Sequence, residues 1–372
     1  MAVQYADQDN SILSLISSVA VHYGVKTDHK TLPVFDRLLA KNYRNVVVML
    51  LDGMGTEILN KHLDENAFLR RNMKCVISSV FPSTTTAVTM SIETGLSPIE
   101  HGWLGWSLYF RELDANVNIF PNTLSGSTGM PAAAYNVALR YVPLKYIYEK
   151  ISEATKSRVT AEKVSYFSSY RSTSFQEICD TVLRLCNEDR ERYIYAYWHQ
   201  PDYDMHEFGT MHRIVGEDIK KFNDEIEKTC RSLHDTLLIV TADHGLIDTQ
   251  WRYICDHPDV AKCLSRRPSI ESRALTFPIK DGMHKQFEYA FDKAFGDCYM
   301  LFSKQQVLDK LLFGSGTPHI RSLNFIDDYL AVAIGGTSID YCPPADHLIF
   351  KAAHAGMTSD EMNVPFIAVE CI

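Results

Sequence analysis

Apolar residues gather in uninterrupted runs along this chain, and most runs stop at a charged or turn-forming residue. The strongest is Asn45-Val-Val-Val-Met-Leu-Leu-Asp52, rich in β-branched residues and closed by Asp-Gly. It predicts a strand covered on both faces that opens into a loop. Residues 193–198 (YIYAYW), Thr236–Thr241 (TLLIVT) and 364–369 (VPFIAV) repeat the pattern, with 159–167 a weaker instance. Between the runs the period changes. Phe175, Ile178, Val182 and Leu185 predict a helix over 174–192, and Ile219, Phe222, Ile226 and Cys230 a second over 215–234. Strands alternating with such helices predict an α/β fold, a mostly parallel central sheet with helices on both faces. Residues 247–345 read differently. They hold a strand-like RALTFPI (273–279), a helix-like MHKQFEYAFDKAF (283–295) and Gly-containing turns, and they predict a cap inserted into a core of 1–246 and 346–372.

Composition narrows the class. Of 372 residues 46% are hydrophobic and 22% charged, which excludes a disordered chain. The net charge is −9, with no run of Lys or Arg, so no nucleic-acid polymer or anionic membrane is expected as a partner. The nine cysteines lie far apart with no CxxC pair, and the odd number fits neither a disulfide framework nor a thiolate zinc site. Residues 1–10 are acidic, and the apolar stretch 11–23 is broken by serines and too short to span a bilayer. A cytoplasmic protein is the expectation.

In open α/β sheets reactive groups collect at the carboxyl ends of the strands. Asp52 follows the first run, Asp202 and His206 follow YIYAYWHQP, and Asp243 and His244 follow TLLIVTA. His354, in HAGMTSDEMNVPFI, shortly precedes the last strand. Taken singly, each has a bland reading. A strand-end Asp caps or turns, Asp-His-Gly makes a turn, and an Asp/His pair four apart is usually solvated. Jointly, three carboxylates and three imidazoles divide into two sites of three, an oxygen and nitrogen chemistry that suits Zn²⁺ or Mn²⁺. Phe81-Pro-Ser-Thr-Thr-Thr86 adds four adjacent hydroxyls ahead of a helix over 86–94 with Gly95 as its left-handed cap. One hydroxyl is enough for capping. Four leave room for a nucleophile at a helix N-terminus, where alkoxide and phosphoryl oxygens are stabilised.

The motifs VVVMLLDGMG, FPSTTTAVTMSIETGLSPIEHG, QPDYDMHEFG, TADHG and HAGMTSDEMNVPFI stand in the order of the metal-site motifs of the alkaline phosphatase superfamily. The chain most resembles its nucleotide pyrophosphatase/phosphodiesterase branch. In that branch Phe-Pro-x-x-Thr, nine residues before the Thr of Thr-Gly, marks the nucleophile, and both counts reach Thr85. The resemblance implies one zinc held by Asp52, Asp243, His244 and the Thr85 oxygen, and a second held by Asp202, His206 and His354. It also implies a small phosphorylated substrate, hydrolysis of a phosphodiester or pyrophosphate bond, and a covalent phospho-threonine that water then cleaves.

The chain also departs from that branch. Its diesterases carry an Asn soon after the His-Gly that follows the nucleophile helix, whereas this chain reads His101-Gly-Trp-Leu-Gly-Trp-Ser107. An aromatic often follows the nucleophile, and here Thr86 does. Trp103, Trp106, Tyr109 and Phe110 offer either an aromatic wall or core packing. Asp256-His-Pro-Asp259 is set aside because it follows no strong strand end, and Lys41–Arg44 reads as a solvated turn. No Gly-x-Ser-x-Gly elbow, Walker motif or GxGxxG is present. A phosphomonoesterase, a phosphonate hydrolase and a catalytically inactive metal-binding protein remain as alternatives.

Overall fold

A computed structural model describes residues 2–343 and 349–372; the expected boundary of the cap at 345/346 falls outside these described residues. The run Asn45–Leu51 is a strand buried at every position, at the centre of a seven-stranded sheet. Across that sheet the order is Met73–Ser78, Asn363–Cys371, Thr236–Thr241, Asn45–Leu51, Glu191–Trp198, Val159–Ser165 and Tyr170–Arg171. The central strands pair in parallel, and Asn363–Cys371 runs antiparallel to both its neighbours.

Helices cover the sheet through the faces that the apolar period marks. Phe175–Cys186 buries Phe175, Ile178, Val182 and Leu185, and Arg213–Cys230 buries Val215, Ile219, Phe222 and Ile226. Both end earlier than predicted. The first is followed by Asn187-Glu-Asp-Arg190, and Glu191 already begins a strand, with Arg192 buried and ion-paired to Glu162 and Glu188. The second stops before a turn in which Asp235 takes a left-handed conformation (φ 46°). No helix among the described residues is long and apolar enough to cross a membrane.

A second seven-stranded sheet, antiparallel throughout, runs Tyr299–Ser303, Tyr329–Ala333, Ala274–Phe277, Ser269–Glu271, Ser107–Phe110, Ala115–Asn118 and Thr123–Leu124. The expected cap segment 247–345 therefore shares its sheet with residues 107–124, which the insertion reading assigned to the core. Within it, the expected 273–279 strand is Ala274–Phe277, stopped by Pro278, and the 283–295 helix is His284–Phe295. One apolar cluster packs this sheet against Phe81 and Met90 beside the main sheet; another, with Phe287, Phe291 and Phe295, fills its other side. All nine cysteines are free. Cys230 meets Cys371 and Cys255 meets Cys342, contacts that the spacing does not reveal.

Candidate metal centre

Strand register brings the distant motifs together. Leu50 lies opposite Thr241 and Leu51 opposite Trp198, so three parallel strands end level and Asp52 leaves its strand beside Asp243. Asp202 opens the helix Asp202–Phe208 and anchors it by donating its backbone N–H to the Asp52 carbonyl at 3.0 Å. His206 follows one turn later on the same face. His354 comes directly after the short strand Ala352–Ala353.

Two triads result, Asp52–Asp243–His244 and Asp202–His206–His354. Within each, one ligand-type atom per residue lies within 4.8 Å of the others. His244 Nε2 is 3.5 Å from both Asp52 Oδ1 and Asp243 Oδ2, and His206 Nε2 is 3.3 Å from Asp202 Oδ2. The triads adjoin, since the His244 and His354 rings stack with centroids 3.8 Å apart. The six carboxylate and imidazole residues expected at the metal site are thus brought together. Asp256 and His257 join no such cluster among the described residues.

The donor set fits cations. In each histidine Nδ1–H donates to a backbone carbonyl: His206 to Ala352 (2.8 Å), His354 to Ser83 (3.1 Å) and His244 to Gly245 (3.2 Å). That bond fixes the tautomer and turns a bare Nε2 lone pair toward the carboxylates. Lone pairs facing lone pairs repel unless a cation stands between them. Asp202 Oδ1 and Asp243 Oδ2 are buried with no hydrogen-bond partner, which points the same way. Burial and the charges of Asp243 and Asp202 push the Asp52 carboxyl well above the usual range, while the Tyr197 hydroxyl bonded to it pulls it back. Burial raises Asp243 as well. Burial and the neighbouring His244 push His354 well down.

The four adjacent hydroxyls Ser83–Thr86, at the start of the helix Thr85–Thr94, are each used differently, and none caps it. The helix is Thr85–Thr94, with Gly95 left-handed (φ 69°) at its end and Thr84 at its start making no side-chain cap. Ser83 Oγ donates to the Gly356 carbonyl (3.1 Å) and Thr84 Oγ1 to Glu271 Oε1 (2.6 Å), while Thr86 Oγ1 is buried without a partner. Thr85 Oγ1 faces the first triad, 3.3 Å from both Asp52 oxygens and 3.2 Å from His244 Nε2.

A cavity of about 480 Å³ opens in front of Thr85, Asp202, His206 and His354 and extends to the second sheet. Of the four aromatics in question, Trp106 lines it, whereas Trp103 and Phe110 are buried in a core cluster and the Tyr109 hydroxyl bonds Asp114. Sequence reasoning missed Tyr197, Phe350 stacked on His206 (4.4 Å), and Glu271, whose Oε1 accepts both the Thr84 hydroxyl and the Trp106 N–H. Tyr197 alone carried a signal, its place in the aromatic strand one residue before its end.

Comparison with protein families matches residues 46–264 to the type I phosphodiesterase / nucleotide pyrophosphatase model. No curated protein sequence matches the chain. Among solved structures, murine ectonucleotide pyrophosphatase/phosphodiesterase 5 superposes with a TM-score of 0.64 at 16% identity, covering 87% of each chain. An inactive threonine-to-alanine form of that protein, in complex with AMP, superposes with a TM-score of 0.63, also at 16% identity and 87% of each chain. Phosphonoacetate hydrolase from Sinorhizobium meliloti 1021, in complex with phosphonoformate, gives 0.64 at 15% identity, covering 88% of this chain and 90% of that one.

Proposed function

The chain belongs to the type I phosphodiesterase / nucleotide pyrophosphatase family, hydrolases acting on phosphoric ester and anhydride bonds, and we propose that it cleaves a phosphodiester or pyrophosphate bond with Thr85 as nucleophile. One divalent cation would be held by Asp52, Asp243, His244 and the Thr85 oxygen, the other by Asp202, His206 and His354. Their oxygen and nitrogen donors suit zinc, with manganese the second choice. Bound there, the cations supply Lewis acidity, polarising the phosphoryl group and easing ionisation of the threonine hydroxyl.

The chain's own groups do the rest. Asp52 accepts the Thr85 hydroxyl hydrogen and is itself oriented by Tyr197. The uncapped first turn of Thr85–Thr94 presents free N–H groups and the positive end of the helix dipole to the phosphoryl oxygens. Thr85 Oγ forms a bond to phosphorus as the bond to the leaving oxygen breaks on the opposite side. Water then attacks phosphorus and frees Thr85, and two inversions give net retention.

The observation that carries this reading is the position of Thr85 Oγ1, 3.2–3.3 Å from Asp52 and His244. The family match and the shared fold with proteins bound to AMP or phosphonoformate support it. The test compares Thr85→Ala with wild type on bis-p-nitrophenyl phosphate and p-nitrophenyl phosphate, with added Zn²⁺ or Mn²⁺. Thr85→Ala is expected to keep both metals and lose about three orders of magnitude or more in rate. Near-normal activity moves the nucleophile elsewhere, and a strong monoester preference in wild type overturns the diester assignment.

A further inference from the structure

The part of the cavity wall away from the triads, built by the second sheet, the strand pair Gln250–Tyr253 and Thr337–Asp340 and the loop residue Phe350, has a charge pattern of its own. Among the described residues it holds no Lys or Arg, and the undescribed segment 344–348 has none in its sequence. Beyond Asp202 it carries two carboxyls, Glu271 and Asp340, set among the aromatic rings of Trp106, Trp251 and Phe350 and uncharged polar groups such as Asn118 and Ser125. Two nearby arginines are engaged outside the cavity. Arg267 stacks over Tyr341 (4.9 Å) next to Asp340, and Arg273 is buried in a two-pronged pair with Glu361. Sites built for a second anionic group offer Lys or Arg forks to it.

Charge balance at the triads agrees. Two divalent cations held there would leave one positive charge against Asp52, Asp243 and Asp202, enough for the single negative charge of a phosphodiester. A pyrophosphate or a carboxylated phosphonate would set its additional negative charge against Glu271 and Asp340, with no Lys or Arg among the described lining residues to receive it.

We infer that the substrate is a phosphodiester whose alcohol halves carry no negative charge, and that Glu271 and Asp340 are the residues that reject a carboxylate or a further phosphate. This rests on the reading above for where the phosphoryl group sits. Aromatic rings and hydroxyls then contact a neutral or cationic alcohol, and Glu271 holds its geometry through Thr84 and the Trp106 N–H.

The test uses the metal-loaded full chain and three p-nitrophenyl phosphodiesters that differ only in the second substituent: methyl, 2-trimethylammonioethyl and 2-carboxyethyl. The methyl and ammonium esters are expected to exceed the carboxylate in kcat/KM by about tenfold or more. In Glu271→Gln/Asp340→Asn, which keeps the acceptor for Thr84, the gap should shrink to about threefold; Asp340→Asn alone, at an exposed position, should narrow it partway. A carboxylate ester cleaved as fast as the methyl ester, or a gap indifferent to both substitutions, overturns the inference. Calorimetric affinities of Thr85→Ala for the same esters should follow the same order. If wild type cleaves none of them, the proposed chemistry fails, and the order of affinities still decides the specificity.

Discussion

The tautomer of each site histidine is set by a carbonyl behind it, and a fourth histidine obeys the opposite logic. His101 accepts the Trp103 N–H at Nδ1 (3.1 Å) and donates from Nε2 to the Ala87 carbonyl (3.1 Å), so its neutral form is fully paired in a buried site. Burial pushes its pKa down to about 3. Below pH 6.5, the ordinary histidine value, the unfolded chain takes up a proton that the folded chain refuses. The stability that neutral His101 confers is thus complete above pH 6.5 and lost progressively down to about pH 3. His101→Gln lacks this titration. In urea unfolding its stability deficit relative to wild type should shrink by roughly 2 kcal/mol between pH 7 and pH 5, at about 1.36 kcal/mol per pH unit. A deficit constant over that range would mean that His101 takes up its proton in the fold as readily as in the unfolded chain. Single residues of this kind were legible to different degrees. Asp52, Asp243 and His244 announce themselves as polar ends of apolar runs, whereas Glu271 sits in an ordinary antiparallel strand and gains its place only when that strand packs near Thr84, 187 positions away.

Elements were legible where burial is uniform and obscure where a turn or a partner strand decides. The central parallel strands Asn45–Leu51 and Thr236–Thr241 show as continuous apolar runs because both faces are covered, but the antiparallel direction of Asn363–Cys371 depends on a chain reversal that no local pattern encodes. The loop after Asn45–Leu51 shows how closely elements must approach. Gly53 is left-handed (φ 74°), and a Cβ there would stand 2.9 Å from Asp202 Cβ and 3.0 Å from its Cα. Relief requires moving the start of Asp202–Phe208, and therefore Asp202 and His206. Gly53→Ala should bind the metal assigned to Asp202, His206 and His354 at least about tenfold more weakly, besides an unfolding cost of about 1–2 kcal/mol. Metal analysis after dialysis against graded chelator reads the difference; two equivalents held as in wild type would show that the loop yields without moving Asp202.

At the scale of the molecule the two sheets must stay in register for the cavity between them to exist, and one buried ion pair ties them. Arg273, at the start of the strand Ala274–Phe277, bonds Glu361 through Nε (2.6 Å) and a terminal nitrogen (2.9 Å) and spends its other donors on the Thr337 and Gly335 carbonyls. Glu361 in turn accepts the Gly356 N–H (2.8 Å) and the Thr358 hydroxyl (2.7 Å), closing the loop that begins at His354. Both side chains are fully buried, so removing one partner leaves an uncompensated charge in the interior. Arg273→Met should therefore cost about 3–5 kcal/mol in denaturant unfolding and also weaken metal retention at His354. Arg273→Met/Glu361→Met removes both charges and should recover much of the stability, because an apolar pair of similar volume avoids the desolvation penalty. It does not restore the bonds to Gly356 and Thr358, so metal retention should stay impaired. That separation of the two readouts is the decisive result: if the double variant recovered metal binding along with stability, the pair would serve only to join the sheets, and the loop carrying His354 would be held by its own packing.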